Sequence, residues 1–280
     1  GVGIGDISTV MARFLTVKTL QWATAVSFRD RESYDFCRKS APGVHALLSA
    51  DLAFLHFPII ERDTQSTPVH RLGIAPVYNM DHAEQYAHVT RELGKATDGF
   101  LGRESERSAV FLPFQTGYSP HHDIVVGQEI LAHIEQSHRC SIEESFGIER
   151  IDETYHSIDV LWGMRLHSII LSCMYAIPFI ALVYDVKVRK FLEEIDCMQW
   201  GIPLDESFSA EKLLALHRQL EEHAPDMRHH LHKQAERLAG RADINANLLQ
   251  QIAADVCTAS AADCKNPVLT AESYHFPSTT

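Results

Sequence analysis

Residues 163–168, GMRLHS, set an arginine and a histidine two positions apart inside an oily stretch, with IDVLW before them and IILSCMYAIPFIALVY after. The apolar run before Gly163 reads as a buried strand ending near Trp162, and glycine permits a tight turn there. The helix that follows starts with unpaired backbone N–H groups and a partial positive charge. Arg165 and His167 fall in that first turn, where the helix dipole favours acids over cations. A bound anion would reconcile the two. Lys187 repeats the arrangement at the next strand-to-helix junction. Three cationic or proton-donating groups around two helix starts suit a ligand carrying phosphate and carboxylate. The internal alternative is that Arg165 pairs with a nearby acid such as Asp159 or Asp185, while His167 is a satisfied core histidine.

Ligands of open parallel sheets bind beyond the carboxyl ends of the strands. That rule ranks the remaining polar residues. Arg29 follows AVSF, Gln115 follows VFLPF, and Gly163, Arg165, His167 and Ser168 follow SIDVLW. Tyr184, Asp185 and Lys187 follow PFIALVY. All four sets are expected to face one cleft. Asp30, Arg31 and Glu32 read as a solvated loop and helix start, and Asp123 as a helix start signal. His121, His122 and the histidines at 217, 223, 229, 230 and 232 read as solvated, pH-sensitive faces rather than metal ligands. The opening GVGIG is not G-x-G-x-x-G, and Gly-x-Ser-x-Gly, Walker A and HExxH are absent.

These positions need a frame of alternating elements. Apolar strands are expected at GVGIGDI, ATAVSF, VHALLS, LGIAPVY, SAVFLPF, SIDVLW and PFIALVY, and helices at Thr9–Trp22, Ala83–Leu93 and Ile124–Gln136. Residues 60–69 and 95–108 read as polar loops. Continuous apolar strands alternating with helices indicate an α/β fold, a Rossmann-like parallel sheet with helices on both faces. One such domain is expected over residues 1–203, with C-terminal helices over 204–256, split near Pro225. Residues 257–280, rich in Ala, Ser, Thr, Pro and Asp, read as a disordered tail.

Composition sets the outer bounds. The chain has 280 residues and an apolar share of 45%, enough for a substantial core. A net charge of −12 argues against a nucleic-acid partner. Six cysteines without CxxC spacing fit a reducing compartment, here the cytoplasm, and give no metal site. No signal peptide or membrane span is visible, and the strand-like start reads as a domain cut from a longer protein.

The segment DVLWGMRLHSIILSCMYAIPFIALVYDVKVRKFLEEI resembles the polysaccharide pyruvyl transferases. The resemblance rests on a D-x-x-x-G-x-R-x-H run (Asp159, Gly163, Arg165, His167), a P-F-I-A-L-x-Y-D strand (Pro178 to Asp185), and the K-V loop at Lys187. AVSFRDRESYDF is similar to the family's R-D-x-x-S strand, through Arg29, Asp30 and Ser33, and SADLAFL to its D-x-A-F-L element, through Asp51. Two departures stand out: Asp6 where the family's opening usually carries proline, and the family's N-terminal domain, with an Asn/Gly-rich loop near its start, which is not found before Gly1.

The resemblance implies the C-terminal, donor-binding half of a fold like the GT-B glycosyltransferases. It implies transfer of pyruvyl from phosphoenolpyruvate, as a ketal, to a sugar of a cell-surface or exopolysaccharide precursor, on a glycan or lipid-linked acceptor. Phosphoenolpyruvate is then the donor substrate and no cofactor is required. Arg165, Arg29 and Lys187 would hold the anion, and His167 would supply a proton or steady the leaving phosphate. The competing readings are a GT-B half that binds a nucleotide sugar, with Glu32 or Asp185 recruited to the ribose, and a truncated non-catalytic homologue. Oligomeric state is left open.

Overall fold

The computed structural model describes residues 1–262 apart from positions 6, 8, 63–68, 79–82 and 118–121. The chain forms two compact units, Gly1–His56 with Glu236–Thr280, and Phe57–Ala235. The expectation of one domain over 1–203 gives way to this division, because the first two strands pair with each other in a sheet separate from the later six.

In the first unit, α1 (Val10–Trp22) leads to β1 (Val26–Phe28), α2 (Arg31–Ser40) and β2 (Ala46–Leu48), followed by the short α3 (Ala53–His56). β1 and β2 are parallel, and the expected opening strand contributes a single parallel bridge, Val2 to Phe28. Leu20, Phe28, Cys37, Ala41 and Val44 form its buried cluster. Asp30 caps α2 by accepting from the Ser33 amide, 2.8 Å, as its position in the sequence suggests.

The second unit is a six-stranded parallel sheet. It comprises β3 (Arg71–Ala75), α4 (Ala83–Leu101), β4 (Ser108–Phe111), α5 (Asp123–Leu131), β5 (Cys140–Ile142), α6 (Ile151–Ser157), β6 (Val160–Gly163), α7 (Leu166–Met174), β7 (Phe179–Val183), α8 (Val186–Glu194) and β8 (Gly201–Pro203). The strand order is β5-β4-β3-β6-β7-β8. The chain starts in the middle, moves outward to β5, and returns to lay β6 beside β3, with Ala75 opposite Gly163. The crevice at the carboxyl ends of β3 and β6 is therefore the topological switch point. Helices cover both sides, which is why Leu72, Ile74, Leu161, Trp162, Phe179 and Ile180 are fully buried without alternation.

Four differences from the sequence-based elements have local causes. α4 runs on to Leu101 because Val89, Leu93, Ala96, Phe100 and Leu101 keep helical spacing into the core, so residues 95–101 are not loop. β5, α6 and β8 are short and carry too little pattern to stand out. α9 (Ala210–Ala262) is one helix that includes Pro225, rather than two helices. Positions 257–262 belong to that helix instead of a disordered tail, and 263–280 lie outside the described residues. No helix is long and apolar enough to cross a membrane among the described residues.

Candidate functional site

The switch point is built from three strand ends of one sheet. β6 ends at Gly163, and the Met164 amide still donates to the Ala75 carbonyl, 2.9 Å, so the chain leaves the sheet one residue later. Arg165 then takes the N-cap position of α7 in an extended conformation, with no side-chain cap for the helix. Ser168 closes the first turn with both its amide, 3.0 Å, and its hydroxyl, 2.6 Å, on the Arg165 carbonyl. Buried Tyr155 donates its hydroxyl to the Ser168 carbonyl, 3.0 Å, which pins this turn to α6.

Arg165 finds its acid at the start of another helix, α5. Its Nε donates to Asp123 Oδ2, 3.1 Å, its Nη2 donates to Asp123 Oδ1, and Nη2 also reaches Gln115 Oε1, 2.9 Å. Asp123 is 1% exposed and accepts in addition from the Gln115 amide, 2.9 Å. The Arg165 side chain keeps 22% exposure. Neither acid expected for Arg165 serves it. Asp159 accepts from the amides of His70 and Arg71, 3.0 and 2.9 Å, and Asp185 caps α8 through the Lys187 amide, 2.8 Å. The expectation that Asp123 merely starts a helix is also corrected: His122 is the N-cap of α5, and the Asp123 carboxylate faces Gln115 and Arg165.

The other site residues fall into three groups. Gln115, Arg165, His167, Tyr184, Asp185 and Lys187 all follow carboxyl ends of the second unit's sheet. His167 is exposed rather than buried in the core, and Lys187 is half-exposed, its Nζ 4.0 Å from Asp185 Oδ2. Burial and the carboxylates of Asp185 and Asp123 push the Tyr184 phenol above its ordinary pKa, against the pull of Arg165, so it stays a neutral donor. Gly163 and Ser168 are buried and shape the turn; the Ser168 hydroxyl is spent on the Arg165 carbonyl. Arg29 belongs to the other sheet, where Nη1 donates to Asp51, 2.7 Å.

The two helix starts differ. α8 already has an acid at its N-cap, whereas α7 has an arginine there and no acid in its first turn. The Asp185 carboxylate thus already offsets the dipole at the start of α8, and no acid does so at the start of α7. No cluster of three or more His, Cys, Asp or Glu suited to a metal occurs among the described residues. Among the described residues Cys37, Cys140, Cys173 and Cys197 form no disulfide, and burial pushes the thiols of Cys140 and Cys197 up to about 11 and about 12, which keeps them protonated and unreactive. His217, expected on a solvated face, is fully buried.

The family profile for polysaccharide pyruvyl transferase matches residues 1–186. The chain belongs to this family. The match takes in Arg29, Gln115, Asp123, Arg165, His167 and Asp185, and stops one residue short of Lys187. Solved GT-B structures share the fold at low identity. Os79 from O. sativa, in complex with UDP, is 9% identical over 83% of this chain and 55% of its own, with a TM-score of 0.53. A UDP-glucose: anthocyanidin 3-O-glucosyltransferase in complex with UDP is 13% identical over 90% and 58%, TM-score 0.52. Accessory secretory protein 1,2 and 3 in Streptococcus pneumoniae matches over 88% and 46%, at 11% identity and TM-score 0.56. The chain spans about half the length of these structures. No curated protein matches it.

Proposed function

We propose that this chain is the donor-binding part of a pyruvyl transferase that uses phosphoenolpyruvate and forms a ketal on a sugar of a cell-surface glycan precursor. The observation that carries this reading is Arg165 at the uncapped start of α7, on the switch point of the sheet, in a chain of the pyruvyl transferase family. Phosphoenolpyruvate is a small polyanion. Arg165 and the α7 amides would receive one anionic group, and Lys187 at the adjacent strand end the other. The cation set within this sheet is Arg165 with Lys187; Arg29 is part of the other unit and is left out of the donor contacts proposed here.

The chemistry needs an acid at the methylene carbon. A proton passes to that carbon, and the double-bond electrons form the new C–H bond, leaving positive charge on the central carbon. One sugar hydroxyl oxygen bonds to that carbon and returns its proton to the acid. The carbon–oxygen bond to phosphate then breaks, phosphate leaves with the electron pair, and the second hydroxyl closes the ketal, its proton going to phosphate. His167, exposed at the second position of α7, is assigned as that acid, and Tyr184 as a neutral donor to the leaving phosphate. The acceptor is a saccharide, free or lipid-linked, met in the cytoplasm.

Calorimetric titration with phosphoenolpyruvate, UDP and inorganic phosphate tests this. Saturable binding of phosphoenolpyruvate, lost in Lys187→Ala with stability unchanged, is the expected result. Tight UDP binding with none for phosphoenolpyruvate would replace this reading with a nucleotide-sugar transferase.

A further inference from the structure

The guanidinium of Arg165 is held along one edge. Nε and Nη2 are both on Asp123, and Nη2 is also on Gln115. Among the described residues nothing accepts from Nη1, and the side chain as a whole keeps 22% exposure. Asp123 is in turn immobilised: it is buried, it opens α5, and it accepts from the Gln115 amide at the end of the β4 segment. The acid therefore does two things to the arginine. It fixes the plane and direction of the guanidinium, and it neutralises its charge from within.

We propose that Asp123 is a positioning and specificity-determining residue of the donor site, which sets Arg165 to offer its Nη1 edge to one anionic group of the donor. An arginine already paired with a buried carboxylate attracts a lone anion weakly. A ligand is retained when a second anionic group meets another cation, and Lys187 stands at the next strand end. The pair thus selects a donor carrying two separated anionic groups over inorganic phosphate, the product that must leave. This rests on the reading of the switch point as the donor site.

The test compares affinities for phosphoenolpyruvate and for inorganic phosphate in the whole chain, by calorimetry, in wild type, Asp123→Asn and Arg165→Lys. Asp123→Asn keeps one acceptor for Nη2, loses the acceptor for Nε and the buried charge, and frees the cation. Phosphate binding should tighten, and the preference for phosphoenolpyruvate should fall at least tenfold. Arg165→Lys keeps a cation against Asp123 and removes the oriented planar edge, so the same preference should collapse in a folded protein, even if Asp123→Asn does not fold. A purely structural pair would lower the melting temperature of Asp123→Asn and leave the preference of the folded protein unchanged, which would overturn the proposal. An unchanged preference in Arg165→Lys would overturn it as well. Loss of preference in the variants against a wild type that prefers phosphoenolpyruvate supports it. Absence of phosphoenolpyruvate binding in the wild type overturns the donor reading itself, and this inference with it.

Discussion

Trp162 donates its indole Nε1–H to Nδ1 of His217 at 3.3 Å, and both side chains are fully buried. The bond assigns the tautomer: Nδ1 carries the lone pair, so the ring proton sits on Nε2, which faces Glu221 Oε1 at 3.4 Å. Glu221 also takes Arg107, 2.8 Å, and Arg103, 2.7 Å, while Arg107 stacks over Phe100 and reaches Glu104. Burial lowers the His217 pKa below 6.5, with Arg107 and Arg103 adding to the drop against Glu221. Burial raises the Glu221 carboxyl, but His217, Arg107 and Arg103 together hold it down at about 2.

Both shifts have the same consequence in acid. As pH falls below about 6.5, the unfolded chain protonates His217 before the folded one does; below about 4.5 the same holds for Glu221. Stability present at neutral pH is therefore lost on acidification, down to the folded-state values. Urea midpoints should stay level from pH 8 to about pH 7 and fall from there to pH 4. In His217→Gln, whose amide oxygen can accept from Trp162 and whose NH2 can donate to Glu221, the decline between pH 6.5 and 5 should flatten.

Arg62 should matter as much as a core residue. Its guanidinium donates to the carbonyls of Tyr175, 2.9 Å, Ile158, 3.2 Å, and Tyr155, 2.5 Å, tying the segment before β3 to α6 and to the end of α7. Arg62→Met removes all three donors at once. A loss of about 3 kcal/mol is expected in urea unfolding, given about 1–3 kcal/mol for each buried acceptor left unmet.

These two residues also mark what the sequence can and cannot show. The parallel sheet was legible because strands such as VLW and FIALV are continuously apolar, and the placement of Arg165, His167 and Lys187 at strand ends followed from it. Arg62 was lost in a stretch that reads as polar loop, and His217 on a helix that reads as solvated, because each gains its partners from elements far along the chain. The role of Asp123 is hidden in the sequence for the same reason. It lies 42 positions from Arg165, and strand order, not spacing, brings them together across β3. Arg29 shows the converse. Its motif was visible, but motif order does not reveal that β1 and β2 form a separate sheet.

Gly163 is required for room. A Cβ there would lie 2.8 Å from Ser168 Oγ and 3.0 Å from both Ile169 Cγ1 and Leu161 Cδ2. Ser168 cannot yield without breaking its bond to the Arg165 carbonyl. Gly163→Ala should cost about 1–3 kcal/mol by overpacking. It should also displace the start of α7, so that anion binding weakens in the folded protein, by calorimetry, more than the drop in melting temperature alone would suggest.

Removing Arg165 by itself confounds binding with stability. Arg165→Ala leaves the Asp123 carboxylate buried, with its side chain 0% exposed and its main counterion gone. Breaking a buried pair from one side costs about 3–5 kcal/mol. The double variant Arg165→Gln with Asp123→Asn replaces the pair by two neutral amides that can still bond each other and Gln115. Denaturation of the wild type, Arg165→Gln, Asp123→Asn and the double variant closes a cycle, with Arg165→Ala measured beside it. The double variant should be more stable than Arg165→Ala and should bind neither phosphate nor phosphoenolpyruvate. A double variant as unstable as Arg165→Ala would show that the loss comes from the packing of the arginine stem, not from the stranded charge.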